Sequence, residues 1–239
     1  MTSFSDLRRQ VCAANRDLHR HGLVHAHSGN VSGIHRDSGV VLIKPSGVDI
    51  ETLEPEMLVA TDIGGRRLEA RHVPDGIVSG LKPSVDLVHH RELYAADASL
   101  GGIVHTHSIY ATAWAIVERP IPCAMTSMAD EFGGDIPVGP FARIGGEEIG
   151  VGIVETLRGS RSRAVLMRSH GVFTVGAGAR EAVKTAVMCE DVARTAMLAR
   201  SLGELTRLDQ ADIDALYDRY QNVYGQRSPD AISEQEVQR

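Results

Sequence analysis

The sequence predicts an α/β protein built around one sheet, and three observations lead there. Short β-branched runs recur along the chain: Val40–Ile43, Gly102–His105, Ala164–Met167 and Phe173–Val175. Longer stretches with apolar residues at helical spacing lie between them. Gly, Pro and Ser mark most of the borders, and no repeat, low-complexity tract or linker divides the chain. With 239 residues, 43% of them hydrophobic and 23% charged, the chain suits one globular α/β domain.

Taken in order, residues 5–21 form an amphipathic helix with Leu7, Val11, Ala14 and Leu18 on one face. Ser28-Gly29-Asn30 is a turn, after which the residues alternate. Val40–Ile43 enters the loop Pro45-Ser46-Gly47 as a strand. Glu56–Asp62 reads as a strand leading to a Gly64-Gly65 hairpin, and 70–83 as loop. Ser84 caps a helix over 85–97 with Asp86 in its first turn. Strand Gly102–His105 follows, then helices over Ile109–Val117 and Gly145–Leu157. Strands Ala164–Met167 and Phe173–Val175 flank Ser169-His170-Gly171. Long and short helices over 179–201 and 210–220 close the pattern, and the tail after Pro229 reads as unstructured.

Charge and composition remove several classes of function. The net charge is -6 and no dense block of Lys or Arg offers a surface to phosphate backbones, which argues against nucleic acid. No apolar run approaches membrane-spanning length, and the N-terminus lacks a signal-peptide core. Cys12, Cys123 and Cys189 are odd in number and form no CxxC pair, so they read as small buried hydrophobes in a reducing, cytoplasmic setting.

Eleven histidines is a high count for this length. His105 and His107 stand at i and i+2 where a strand ends, so two imidazoles can meet at one point and suit a divalent metal. His25-Ala26-His27 has the same spacing without a preceding strand, so the pair alone equally suits a structural role. His170 also ends a strand, with Gly171 behind it to allow a sharp turn. Asp86 offers a carboxylate, or simply a favourable charge at a helix start. The turns Ser28–Asn30, Lys44–Gly47 and Lys82–Ser84 supply N–H groups, hydroxyls and ammonium groups suited to an anion. They are equally ordinary turns, and spacing does not choose.

The ordered set SGNVS (28–32), IKPSGVD (43–49), KPSVD (82–86), GGIVHTHSIYATAWA (101–115), MADEFGGDIP (128–137), SHGVFTVG (169–176) and VYGQ (223–226) resembles the class II aldolase/adducin family. It looks most like the L-ribulose-5-phosphate 4-epimerase branch. The resemblance implies a three-layer α/β/α fold with a central mixed, largely antiparallel sheet, one domain over 1–226 and a flexible tail over 227–239. It implies a homotetramer with active sites at subunit interfaces, acting on a small sugar phosphate. The implied metal ligands are Asp86, His105, His107 and His170, holding Zn2+ or else Mn2+ or Co2+. The implied phosphate pocket is Asn30, Lys44, Ser46, Gly47 and Ser84. The implied acid/base pair is Asp130 and Tyr224, the tyrosine coming from a neighbouring subunit.

Aldolases of the family usually carry Glu where this chain has Asp86. The Asp and the C-terminal Tyr-Gly-Gln favour an epimerase that works by retro-aldol cleavage of C3–C4 and re-addition to the other face of the aldehyde. A sugar-phosphate aldolase, a 3-oxo sugar-acid phosphate decarboxylase and a non-catalytic adducin-like association domain are the alternatives. Val85 stands where a second phosphate-binding serine is usual. The remaining histidines, including His89 and His90, read as structural or solvated, Trp114 and Phe173 as core, and Glu190 and Asp191 as a solvated or paired face.

Overall fold

The computed structural model describes residues 3–223, so Tyr224 and the 227–239 tail lie outside the described residues. Helix α1 (Phe4–Arg20) starts where Ser3 Oγ accepts from the Asp6 amide at 3.1 Å, and it buries Leu7, Val11, Ala14 and Leu18 as their spacing requires. Seven strands form one sheet: β1 (Asn30–His35), β2 (Val40–Ile43), β3 (Val59–Thr61), β4 (Gly102–Thr106), β5 (Val138–Gly139), β6 (Ala164–Met167) and β7 (Gly171–Gly176). Their order is β3-β2-β1-β4-β7-β6-β5. All pairs are antiparallel except β5–β6, so the sheet is mixed and largely antiparallel.

The remaining helices are α2 (Leu87–Ala96), α3 (Ile109–Ile116), α4 (Thr126–Phe132), α5 (Glu148–Leu157), α6 (Ala179–Leu202) and α7 (Gln210–Asn222). They cover both faces, giving the α/β fold in three layers. Because strand side chains alternate, Val41, Ile43, Ile103, Val165, Phe173 and Val175 pack with Leu93 and Tyr94 of α2 and Ile149 and Ile153 of α5. Val31, Leu42 and Val104 point the other way onto α1 and α6, and Leu166 and Val172 onto α3, α4 and α6. A sheet covered on both sides explains why its strands are continuous apolar runs.

Several expectations shift in detail. The strand expected over Glu56–Asp62 is only Val59–Thr61, because Pro55 opens a single 3-10 turn over Pro55–Met57. Ser84 is not the N-cap of α2. That place belongs to Asp86, whose side chain caps nothing. Helix α4 is an addition to the elements read from sequence: seven residues show too little periodicity, and Gly133 at φ 62° ends it. The three cysteines are free and buried, as expected.

The loop between β3 and α2 is held by Arg8. Its Nε and Nη2 donate to the Asp75 carboxylate at 2.7 and 3.0 Å, and its other N–H groups reach the carbonyls of Pro55, Leu58 and Ile77. Burial raises the Asp75 carboxyl, but the Arg8 guanidinium and the Ile77 amide outweigh it and hold it below the usual range. Arg8→Ala leaves that carboxylate buried and unpaired. It should cost about 3–5 kcal/mol, read as a fall in the urea midpoint.

Candidate metal centre

Three strands in register build the floor of the site. Asn30 of β1 pairs with His105 of β4, and His105 pairs with Phe173 of β7. All three side chains therefore stand on the α2–α5 face, and the His105 and Phe173 rings stack at 4.2 Å with 15° between planes. His107 follows the end of β4. His170 closes the three-residue hairpin between β6 and β7, with Ser169 before it at φ 53°, a sparsely populated conformation for a residue with a side chain. Gly171 is required here: a Cβ would stand 2.5 Å from the Thr106 carbonyl oxygen and 2.6 Å from His107 Cδ2.

These elements bring His105, His107 and His170 together, with one ligand nitrogen from each lying within 4.8 Å of the others. His105 Nδ1 lies 2.9 Å from the Val172 carbonyl oxygen, which can only accept. Nδ1 therefore carries the proton, and Nε2 keeps its lone pair. His107 Nε2 is 3.0 Å from it. Two nitrogens bound tetrahedrally at zinc distances would be about 3.3 Å apart, so the spacing fits. His170 Nδ1 is buried with no hydrogen-bond partner. Burial lowers the His105 imidazole to about 3, against the opposing pull of Asp86, and also lowers that of His170. Neutral imidazoles are the form a metal needs. The triad can hold a metal ion.

Asp86 lies beside this triad rather than within it. Its Oδ2 accepts from Asn30 Nδ2 at 2.7 Å and Ser84 Oγ at 3.3 Å. Burial raises its carboxyl, while His105, His90, Asn30 and His89 pull it down and leave it below the usual range. Asn30 must face this way, because a flipped amide would set its oxygen against the carboxylate.

The two Lys-Pro-Ser turns of the expected anion pocket lie side by side. They pair reciprocally, Ser46 N donating to Lys82 O at 2.9 Å and Ser84 N to Lys44 O at 3.0 Å. Asn30 also reaches Ser84 Oγ at 3.2 Å. Ser46 and Gly47 are exposed, the glycine at φ 69°. Lys44 is buried, donates to the His27 and Pro45 carbonyls, and is lowered by that burial. Val85 is 65 % exposed beside Ser84. Asp130 stands apart: α4 packs in the cluster on the opposite face, no hydrogen bond or ring contact joins Asp130 to the histidines among the described residues, and its Oδ1 is buried without a partner. A cavity of about 870 Å³ opens at the other end of these strands, near Leu100, Arg163 and Ala177, and does not include the triad.

Sequence reasoning passed over two supports of the site. Of the solvated or paired face expected at Glu190, the structure shows pairing, with backbone: its two oxygens accept the amides of Tyr110 and Ala111, both at 2.9 Å, and so cap α3 just after His107. Ser32 Oγ lies 2.7 Å from His90 Nδ1 and 2.8 Å from Tyr94 Oη, joining α2 to β1. The i, i+4 spacing of His90 and Tyr94 on α2 was the one signal for this pair, and it names no partner 58 residues upstream. Trp114 is core as expected, with its Nε1 donating to the Ala193 carbonyl at 3.0 Å.

An α/β fold whose sheet ends bring three imidazoles to one point is a fold that can carry a metal site. The chain belongs to the class II aldolase family: the model of the class II aldolase and adducin N-terminal domain matches residues 9–197. Class II aldolases depend on a metal ion, and the triad is a set that can supply its ligands. An L-fuculose 1-phosphate aldolase is 24% identical with TM-score 0.82, over 90% of this chain and 96% of that one. YgbL from Klebsiella pneumoniae, described only at the level of aldolase/epimerase/decarboxylase, is 26% identical with TM-score 0.76, over 90% and 100%. The L-fuculose-1-phosphate aldolase of Thermus thermophilus is 27% identical with TM-score 0.68, over 82% and 95%.

Glu190→Ala removes two charge-assisted bonds from the start of α3. It should lower stability by about 1–3 kcal/mol in urea unfolding, and the conservative Glu190→Gln should lower it less.

Proposed function

We propose that this chain is a metal-dependent L-ribulose-5-phosphate 4-epimerase, working through cleavage and re-formation of the C3–C4 bond. Asp86 carries this reading. It stands at a helix N-cap yet caps nothing, is held by Asn30, and lies within electrostatic reach of His105. An Asp so held serves as a fourth ligand beside His105, His107 and His170, where a longer Glu serves as acid/base in the aldolases the sequence resembles. Zinc suits this set best, and manganese or cobalt also fit it. Three imidazoles at one point with a carboxylate beside them also argue against an adducin-like scaffold without catalysis.

When bound, the metal supplies Lewis-acid stabilisation of the negative charge that develops on the ketose oxygens. Ser46, Gly47 and Ser84 hold the phosphate of the aldehyde fragment, with Asn30 and Lys44 setting the shape of that pocket. Asp130 and Tyr224 divide the proton transfers: one takes the proton of the C4 hydroxyl, and the other returns a proton after the aldehyde has presented its other face. Gln221 Nε2 lies 3.4 Å from the Asp130 carbonyl oxygen, so the end of α7 passes beside Asp130. Tyr224 serves the triad of a second copy, in a homotetramer whose contacts would cover exposed apolar residues such as Ile109, Ile116 and Leu198. Residues 1–226 act as one domain. Free buried cysteines suit a cytoplasmic setting.

The second reading is an aldolase that releases its aldehyde, favoured by the 27% identity to the Thermus L-fuculose-1-phosphate aldolase. Metal-loaded protein given L-ribulose 5-phosphate separates the two. Accumulation of D-xylulose 5-phosphate without free glycolaldehyde phosphate supports the epimerase. Free fragments establish the aldolase instead. Neither product despite bound metal rejects both and turns attention to a sugar-acid substrate and decarboxylation. In the active enzyme, Tyr224→Phe should cut turnover by about 10²–10⁴-fold with metal content unchanged, and an unaltered rate would remove Tyr224 from the proton transfers.

A further inference from the structure

Among the described residues, His89 is an anomalous buried polar group. It is fully buried, and neither ring nitrogen has a hydrogen-bond partner. An imidazole in any protonation state carries at least one N–H, so burial without a partner costs about 1–3 kcal/mol that an apolar residue would not. Nothing in the packing asks for a polar ring. The neighbouring Phe173 ring meets it edge-on at 6.0 Å, and α5 presses close behind, so close that a Cβ at Gly150 would lie 3.2 Å from His89 Cα.

A carboxylate beside the triad lies close to this orphan. His89 Nε2 stands 4.0 Å from Asp86 Oδ1, about one ångström beyond an N–H···O bond. Asp86 is asymmetric: Oδ2 receives Asn30 and Ser84, while no hydrogen bond reaches Oδ1 among the described residues. The carboxylate is thus hinged at one oxygen, and its free oxygen turns toward a donor with nothing else to bind.

We propose that His89 is a positioning residue for Asp86: when the site is loaded, its Nε2–H closes on Oδ1 and fixes the carboxylate as a ligand. This rests on the reading of Asp86 as part of the metal site. It assigns His89 a task in place of the structural one its sequence suggests. Asn30 and Ser84 set the position of one oxygen, and His89 sets the rotation of the group about that hinge.

The test uses the full-length chain, stripped of metal and then titrated with Zn2+ against a chromophoric chelator and with Co2+ by visible absorption. His89→Phe should bind Zn2+ about 10-fold or more weakly and alter the Co2+ spectrum. The melting temperature of its metal-free form should be equal to or above that of the wild type, because an unsatisfied group has been removed. His89→Gln, whose side-chain amide can place a donor near the same point, should recover most of the affinity. His89→Leu serves as the apolar variant if Phe does not pack. Asp86→Asn is the control. If Asp86→Asn weakens Zn2+ binding and the apolar His89 variants do not, the role of His89 is overturned and the metal site stands. If Asp86→Asn binds Zn2+ as tightly as the wild type, the reading of Asp86 fails and this inference with it. A lowered metal-free melting temperature with unchanged affinity would return His89 to a purely structural role.

Discussion

The row Asn30, His105, Phe173 is the constraint on which the rest of the site depends. It exists only because β1, β4 and β7 pair in one register. A slip of one residue on β4 would send His105 to the α1–α6 face and bring Val104 into the floor of the site. The apolar alternation of the strands sets that register, since Ile103 and Val104 are each buried against different helices. The energy that aligns the ligands is therefore hydrophobic burial, spread over the whole sheet. The chemistry adds polar groups at one end of strands already fixed by packing.

The parts of the fold legible in sequence are those with many repeats of one period. Helix α1 shows its buried face over 17 residues, and β2, β4 and β6 are readable to within a residue of their ends. The two histidines at i and i+2 converge because a strand forces them to. What escapes is short or distant. Strand β5 has two residues and α4 has seven, too few for any period. Glu190 lies on a helix whose polar positions look solvated, and only the fold brings it to the amides of α3, 79 and 80 residues earlier. The sequence expectation has Asn30 facing an anion. The structure turns its amide to Asp86 because a buried carboxylate attracts a donor more strongly than an open turn does.

The polar groups at the α2 end of the site divide into satisfied and unsatisfied ones, and the division has a physical meaning. Ser32, His90 Nδ1 and Tyr94 close on one another and lock α2 to β1, while His90 Nε2 stays unmatched. Burial drives the His90 imidazole down to about 3 and the Tyr94 phenol up, so both stay neutral and this lock does not titrate near neutrality. One helical turn toward the metal centre the pattern reverses. Asn30 Oδ1, His170 Nδ1 and both nitrogens of His89 are buried and unmatched.

Other buried atoms are unmatched elsewhere in the fold, Thr61 Oγ1 and Asp130 Oδ1 among them, but these four lie together around one carboxylate and one imidazole cluster. Their cost is concentrated beside the triad, where a small rearrangement or a bound group can supply the missing partners. The rigid lock behind them keeps α2 from relaxing to satisfy them by itself. A fold that left these groups free to pair with each other would be more stable and would hold its ligands less ready. The orphaned atoms and the lock are thus two halves of one device: the sheet and α2 supply the rigidity, and the open valences set where binding energy can be gained.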